Sequence, residues 1–156
     1  MRAQIIEYGE VSDKAVILRK NGTIVFTNGC FDLLHAGHIE YLRKAKKLGD
    51  ILWIGINSDK SVKRIKGDKR PILCQTDRVE ILASLRFVDA ITLFDEDTPL
   101  ELIKMIKPDI LVKGGDYKDK LIVGSDVLKN NGGTVKLIDF VDGKSTSAII
   151  KKIKSL

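Results

Sequence analysis

The sequence contains few cysteines, histidines and aromatic residues, and no long apolar run. Of its 156 residues, two are cysteine and two are histidine, and Phe, Trp and Tyr make up 6%. Cys30 and Cys74 are too few for a disulfide framework or a CxxC site, so we expect reduced thiols. No apolar run approaches the roughly 20 residues that span a bilayer, and the first seven residues lack the apolar core of a signal peptide. We therefore expect a cytoplasmic protein with no membrane partner.

Composition and charge are typical of one globular domain. The chain is 44% hydrophobic and 31% charged, with a net charge of +6. Its lysines are interleaved with Asp and Glu, as on solvated helix faces, and few aromatics are present to stack on bases. We therefore expect no nucleic-acid partner. A single domain is predicted over residues 1–156, in which residues 1–22 form a helix or an arm against the core or a second subunit.

One segment combines both histidines with a glycine-containing turn. Residues 28–38 read NGCFDLLHAGH and follow the apolar run 24–26; the residues behind them have helical spacing. A helix start with exposed N–H groups attracts anions, and Gly37 leaves room for a phosphate beside the backbone. Imidazoles donate hydrogen bonds to phosphate oxygens. Because the chain has no third histidine, a phosphate site is favoured over a metal site.

Apolar runs and helical patterns alternate along the rest of the chain. Strands are predicted at 23–27, 51–57, 89–93, 109–112 and 134–138, and helices at about 37–48, 76–86, 99–106, 122–130 and 145–154. This alternation predicts an α/β fold with a Rossmann-like, doubly wound, five-stranded parallel sheet. Ligands of such sheets bind at the carboxyl ends of the strands, where the strand order reverses.

Basic residues follow the second predicted strand. Lys63 and Arg64 are interpreted as part of a solvated helix that precedes a mobile loop. Lys66 and Arg70 lie in a loop shaped by Gly67 and Pro71, where a phosphate-bearing substrate needs cations. Arg78, at the start of the next predicted helix, is either a third such cation or a member of an ordinary surface ion pair.

Two later segments end at the same predicted sheet edge. Lys113-Gly114-Gly115-Asp116 follows the fourth strand, so that Asp116 accepts hydrogen bonds from sugar hydroxyls, holds a metal or belongs to an ordinary turn. Ser145 and Thr146 open the last helix and offer hydroxyls to a phosphate, although capping alone also explains Ser145.

These motifs resemble a known family. GCFDLLHAGH is similar to the HxGH signature of cytidylyltransferase-like nucleotidyltransferases. The further runs GINSDKSVKRIKGDKRPI, EDTPLELI, PDILVKGGDY and GKSTSAII resemble the adenylyltransferase domain of bifunctional heptose phosphate kinase/adenylyltransferases, over residues 22–154. The resemblance implies transfer of AMP from ATP to D-glycero-β-D-manno-heptose 1-phosphate, giving ADP-heptose for lipopolysaccharide core synthesis. We find no kinase motifs, so a separate kinase is expected to supply the sugar phosphate.

The resemblance and the chemistry together assign roles to individual residues. His35, His38 and Lys66 are predicted to be catalytic. Nucleotide binding is assigned to Asn28, Gly29, Cys30, Phe31, Gly37, His38, Lys113, Gly115, Asp116, Ser145 and Thr146. Substrate binding is assigned to Asp32, Asn57, Lys66, Arg70 and Arg78.

The cofactor and the alternatives follow from the same resemblance. Mg²⁺ is expected to bridge the phosphates near Asp32, which alternatively caps the loop, and a homodimer is expected. Related glycerol phosphate cytidylyltransferases carry an RTEGIST-type segment, whereas residues 140–146 read FVDGKST without that Arg. Adenine is thus favoured over cytosine. Cytidylyl transfer to glycerol 3-phosphate, flavin adenylyl transfer and a non-catalytic nucleotide-binding module remain as alternatives.

Overall fold

One parallel β-sheet organises the protein. The computed structural model describes residues 2–115, 120–139 and 145–156. Within them the strands are β1 (Gln4–Ile5), β2 (Ile24–Gly29), β3 (Ile51–Asn57), β4 (Ala90–Phe94), β5 (Ile110–Gly114) and β6 (Thr134–Ile138). Their order across the sheet is β1-β4-β3-β2-β5-β6, and every neighbouring pair is parallel. The α/β doubly wound sheet is confirmed, but the predicted count of five strands was one short of the six described.

The additional strand is β1, which lies in the segment predicted as a helix or an arm. Gln4 pairs with Ala90 and Ile5 with Ile91, so β1 forms the edge of the sheet beside β4. Two residues are too few to show the apolar alternation that identifies a strand in a sequence.

Helices occupy the connections between strands. They are α1 (Val11–Arg19), α2 (Ala36–Lys46), α3 (Asp59–Lys66), α4 (Gln75–Ala83), α5 (Leu100–Ile106), α6 (Ser125–Asn130) and α7 (Thr146–Lys154), with a 3₁₀ turn at Tyr8–Glu10. All five predicted helices are present, with boundaries shifted by at most three residues. The stretch after β3 contains a helix, α3, followed by a loop. Arg70 lies in that loop as predicted, but Lys66 is the last residue of α3 because the helix continues as far as Gly67.

Alternation along β2 divides the core between the two faces of the sheet. Val25 packs with residues of α2 and α4, whereas Ile24 and Phe26 pack with residues of α1 and α5. All three β2 side chains are fully buried. This pattern follows from the two-residue period of a strand and fixes the sheet between two helical layers.

The N-terminal segment packs on the core as a helix. Val11, Ala15 and Leu18 of α1 are buried in the cluster that also contains Ile106 of α5. Arg19 donates a 2.8 Å hydrogen bond from its Nη1 to Asp109, just before β5. Residues 1–22 were predicted to pack on the core or on a second subunit, and in the structure α1 packs on the core of its own chain.

The strand order reverses at β2. β3 and β4 lie on one side of it, and β5 and β6 lie on the other. Loops leaving the carboxyl ends of β2 and β5 therefore diverge over opposite faces and open a crevice between them. This is the edge at which the predicted site residues were expected to meet.

Candidate active site

The loop after β2 presents the histidine pair at the start of α2. His35 is the N-cap residue of this helix, and its Nδ1 accepts a hydrogen bond from the Gly37 N–H at 3.2 Å. The Nδ1 of His38 accepts from the His35 N–H at 3.4 Å. The two side chains thus cap the helix reciprocally, in the manner of a capping box.

This capping fixes the tautomer of both rings. A ring nitrogen that accepts a hydrogen bond carries no proton, so each neutral imidazole has its proton on Nε2 and is a donor there. The two rings stack with their centroids 3.9 Å apart. Burial, reinforced by the nearby His35, lowers the pKa of His38 to about 4. His38 is therefore a neutral hydrogen-bond donor at neutral pH.

Phe31 gives the loop its sharp bend. Its φ of 46° lies in the left-handed region, which costs a residue with a Cβ about 1 to 2 kcal/mol. The ring is 7% exposed, and its centroid is 5.4 Å from that of His38. A Cβ on residue 29 would stand 3.1 Å from this ring, which explains the glycine there. Phe31 therefore supports the loop beneath the histidines.

A cavity of about 490 Å³ opens at the switch point between β2 and β5. Its lining confirms the predicted convergence of loops from several strands on one crevice. The lining includes eleven residues singled out in the sequence: Asn28, Gly29, Cys30, Phe31, Asp32, His38, Asn57, Lys66, Arg70, Lys113 and Thr146.

Cations enter this cavity from both sides of the switch point. Lys66 ends α3 and Arg70 follows in the next loop, both on the β3 side. Lys113 lies in β5 on the other side, is 7% exposed and donates a hydrogen bond from Nζ to the Asn28 side-chain oxygen. The cavity therefore has positive charge on two opposed walls, as a polyphosphate requires.

Asp32 joins two loops. It lies in the loop that leads from β2 to the histidines (the histidine loop) and binds the loop that contains Arg70 (the acceptor loop). Its side chain is 1% exposed and accepts hydrogen bonds from Arg70 Nε at 2.5 Å and from the Ile72 and Leu73 N–H groups. Burial alone would raise the pKa of this carboxyl, but the Leu73, Ile72 and Arg70 donors together lower it. Of the two predicted roles, the geometry places Asp32 in the loop-capping one.

Arg78 lies outside the cavity lining, contrary to its prediction as a substrate-binding or surface cation. Its side chain has no exposed area and donates to three backbone carbonyls and to Asp59. A spacing pattern cannot distinguish this fully buried arginine from the exposed one expected at the start of an amphipathic helix.

Four other predicted residues lie beside the cavity and are not part of its lining. His35 stacks on His38, and Gly37 is buried in the first turn of α2. Ser145 caps α7, its Oγ accepting from the Ala148 N–H at 3.1 Å. A Cβ on residue 115 would lie 2.2 Å from the Asp139 carboxylate, so Gly115 is a close-packing position. Asp116 is outside the described residues.

Sequence reasoning missed part of the lining. The additional residues are Tyr41, Ile65, Asp97, Thr98, Pro99, Val123 and Ser147, whereas Gly114 belongs to a segment that the sequence had already indicated. Tyr41 lies three residues after His38 on α2, a spacing that places both on one helix face. Asp97, Thr98 and Pro99 follow the carboxyl end of β4, the same signal that identified the other loops.

In the part of the chain that the structure describes, no group of three or more His, Cys, Asp or Glu is placed to hold a metal ion. Burial raises the pKa of the Cys30 thiol despite the nearby Lys66, Arg78 and Arg70, so this cysteine is a weak nucleophile.

Comparison with known families identifies relatives of the whole fold. The cytidylyltransferase-like family model matches residues 26–152. A protein named bifunctional protein HldE from a Nitratiruptor species is 59% identical over 152 residues, covering 97% of this chain and 32% of that protein. Its counterpart from Campylobacter fetus subsp. fetus is 62% identical over 136 residues, covering 87% and 29%. The chain spans about a third of the length of these curated relatives.

A solved structure has the same fold. The crystal structure of the lipopolysaccharide core biosynthesis protein from Thermoplasma volcanium superposes with a TM-score of 0.62 at 32% identity, covering 79% of this chain and 99% of that one. These relatives agree with the resemblance predicted from the HxGH loop and do not favour the glycerol phosphate alternative. Among the described residues, no helix is long and apolar enough to cross a membrane.

Proposed function

Because this chain belongs to the cytidylyltransferase-like family, we propose that it transfers AMP from ATP to D-glycero-β-D-manno-heptose 1-phosphate, giving ADP-heptose and pyrophosphate for lipopolysaccharide core synthesis. The observation that carries nucleotidyl transfer is the convergence of a neutral His38 with Lys66, Arg70 and Lys113 on one cavity. The heptose acceptor is supported by the resemblance of the motif runs and by the 59% to 62% identity with proteins named bifunctional protein HldE.

The chemistry needs positioning and charge neutralisation. A sugar phosphate is already an anionic nucleophile at neutral pH, so no general base and no covalent enzyme intermediate are required. One of its oxygens attacks the α-phosphorus of ATP, the bond to the β-phosphate oxygen breaks, and pyrophosphate leaves with that electron pair. The protein has to hold the two phosphates in line and stabilise the charge that develops on the transferring group.

The two cavity walls suit the two substrates. The wall formed by Lys113, Gly114 and Thr146 lies beside the histidine loop, and we assign the triphosphate and nucleoside to it. His38 donates from Nε2 to a phosphate oxygen, and the first turn of α7 offers hydroxyl and N–H donors. The positive end of α2 adds to this attraction because its N-terminus opens at the same place.

The opposite wall suits the acceptor. Lys66 and Arg70 neutralise the sugar phosphate there, and Asn57 lies at the end of β3 beside them. Asp97 and Thr98 add a carboxylate and a hydroxyl to the same wall, which are groups that accept hydrogen bonds from sugar hydroxyls.

We assign Mg²⁺ to the nucleotide substrate. Asp32, the carboxylate predicted near the metal, already accepts from Arg70, Ile72 and Leu73. The ion would be held by the phosphates of the nucleotide and not by this chain, and it would supply neutralisation of their charge. A homodimer and a cytoplasmic location are further parts of this proposal, resting on the family resemblance.

Pairing nucleotides with acceptors tests the assignment. Pyrophosphate release is measured from ATP and from CTP with Mg²⁺, each with heptose 1-phosphate, glycerol 3-phosphate or FMN. We expect release only from ATP with the heptose. Release from CTP with glycerol 3-phosphate, or from ATP with FMN, would retain the site and overturn the substrate assignment. Tight nucleotide binding without release from any pair would overturn the enzyme assignment.

A further inference from the structure

A buried arginine joins the two substrate loops. Arg78 lies in the first turns of α4 with no exposed side-chain area. Its Nη1 donates to the Cys30 carbonyl at 2.5 Å and to the Asn57 carbonyl at 2.8 Å. Its Nε donates to the Leu73 carbonyl at 3.1 Å, and its Nη2 donates to Asp59 at 2.9 Å. Four of the five N–H groups of the guanidinium are thus engaged.

The carbonyls that accept hydrogen bonds from Arg78 belong to separate segments at the cavity. Cys30 lies in the loop that leads to the histidines, and Asn57 is the last residue of β3. Leu73 closes the loop that contains Arg70, and its own N–H is bonded to Asp32. One rigid planar group therefore sets the spacing between the histidine loop, the end of β3 and the loop that contains Arg70.

The hydrogen-bond partners of Arg78 favour a role in positioning the backbone. Only one of the four partners is a carboxylate, and the desolvation of a buried charge is not well repaid by carbonyls alone. Most of the N–H groups of Arg78 instead join backbone carbonyls of three separate segments, an arrangement that fixes the positions of those segments relative to one another.

We propose that Arg78 is a positioning residue, which touches neither substrate and holds the histidine loop and the acceptor loop at the separation that in-line transfer requires. The proposal rests on the proposed nucleotidyl transfer. Displacement of reacting groups by about 1 Å can cost about 100-fold in rate. Loss of the clamp should therefore lower kcat while leaving the binding contacts of each wall in place.

Arg78→Lys tests the proposal, because lysine keeps the charge and loses the planar fork. We expect kcat per folded protein to fall by about 30-fold or more, with the KM of each substrate within about threefold. Arg19→Lys is the matched control. Arg19 also donates to one carboxylate, that of Asp109, and to the carbonyls of Ile106 and Lys107, at the amino-terminal ends of the strands and away from the cavity. The kcat of Arg19→Lys should stay within about twofold of the wild-type value.

The alternatives give different results. A folded Arg78→Lys variant with wild-type kcat, or with a raised KM for one substrate and unchanged kcat, would overturn the positioning role. If that variant does not fold, Asp59→Asn is used, because the Asp59 side chain is one-third exposed and anchors the same guanidinium. A severalfold lower kcat at unchanged KM supports the proposal, and unchanged kcat contradicts it. Failure of the proposed function appears separately, as a wild-type protein that releases no pyrophosphate.

Discussion

At the residue scale, His38 is proposed to donate a hydrogen bond to a phosphate oxygen as a neutral imidazole. Its Nδ1 is occupied by the His35 N–H, and its ring is partly buried beside a second imidazole. Burial disfavours the charged form of this ring, and positive charge on His35 would disfavour it further, so the fold favours the neutral form with one donor at Nε2. Such a donor neither gives up nor takes a proton during transfer, which suits a reaction that needs no general base.

Removing the His38 ring should therefore impair turnover. We expect His38→Ala to lower kcat by about 100-fold or more, the usual cost of losing one preorganised donor to a developing charge. His38→Gln should retain more activity, because its amide N–H₂ reaches about where Nε2 lies. Steady-state pyrophosphate release, with circular dichroism to verify folding, makes the comparison. Full activity in the alanine variant would refute the role.

The depressed pKa of His38 predicts a pH dependence of stability. Between pH 6.5 and about 4, this residue binds a proton in the unfolded chain but not in the folded one. The free energy of unfolding should therefore fall as the pH is lowered through this window. Between pH 7 and pH 4.5, the free energy of unfolding of His38→Gln should fall by about 1 to 2 kcal/mol less than that of the wild type, allowing for partial exposure of the ring. Parallel urea titrations at pH 7 and pH 4.5 measure it; identical losses would contradict the shift.

Individual site residues were predictable where their role depends on the backbone. His38, Lys113 and Thr146 follow strand ends or open helices, and those positions show in the sequence. The roles of Asp32 and Arg78 depend on which distant carbonyls and N–H groups surround them. No local pattern specifies such partners, since most of them lie more than 20 residues away in the chain.

At the element scale, the loop that carries Arg70 is held by one buried carboxylate. Asp32→Asn places an amide N–H₂ against the donors of Ile72 and Leu73, leaving buried groups unsatisfied. We expect the free energy of unfolding to fall by about 3 kcal/mol. Asp97→Asn is the matched control, because its exposed pair with Arg64 should change stability by about 0.5 kcal/mol or less. If urea unfolding showed equal losses of stability in Asp32→Asn and Asp97→Asn, Asp32 would not be what holds this loop.

Helix α1 should contribute to stability through one face only. Val11 is fully buried and Val16 is 65% exposed on the same helix. Val11→Ala is therefore expected to lower the free energy of unfolding by about 2 kcal/mol. Val16→Ala should change it by about 0.5 kcal/mol or less. Denaturant titration of both variants measures the difference, and similar values would mean that α1 does not pack on the sheet.

The elements with a clear apolar period were predictable, and the very short strand and the highly charged helix were not. β3 was predicted at its observed bounds because a fully buried strand reads as an uninterrupted apolar run. β1 pairs through only two residues, so its place at the edge comes from tertiary contacts with β4. α3 is highly charged, with only Ser61 and Val62 buried, which left helix and loop interpretations open.

At the scale of the whole molecule, the fold works by bringing separate loops to one crevice. Strand ends on both sides of β2 deliver the histidine donor, the cations and the acceptor wall to a single cavity. The net charge of +6 also favours anionic substrates. We propose that these groups position two phosphates so that an oxygen of the sugar phosphate attacks the α-phosphorus of ATP.

Oxygen labelling tests that claim most directly. The protein is incubated with ATP, Mg²⁺ and heptose 1-phosphate whose phosphate oxygens carry ¹⁸O, and the products are weighed by mass spectrometry. Attack by a sugar phosphate oxygen on the α-phosphorus predicts ADP-heptose that retains every labelled oxygen, together with unlabelled pyrophosphate. Loss of label from the sugar nucleotide, or formation of no ADP-heptose by an otherwise folded protein, would contradict the account.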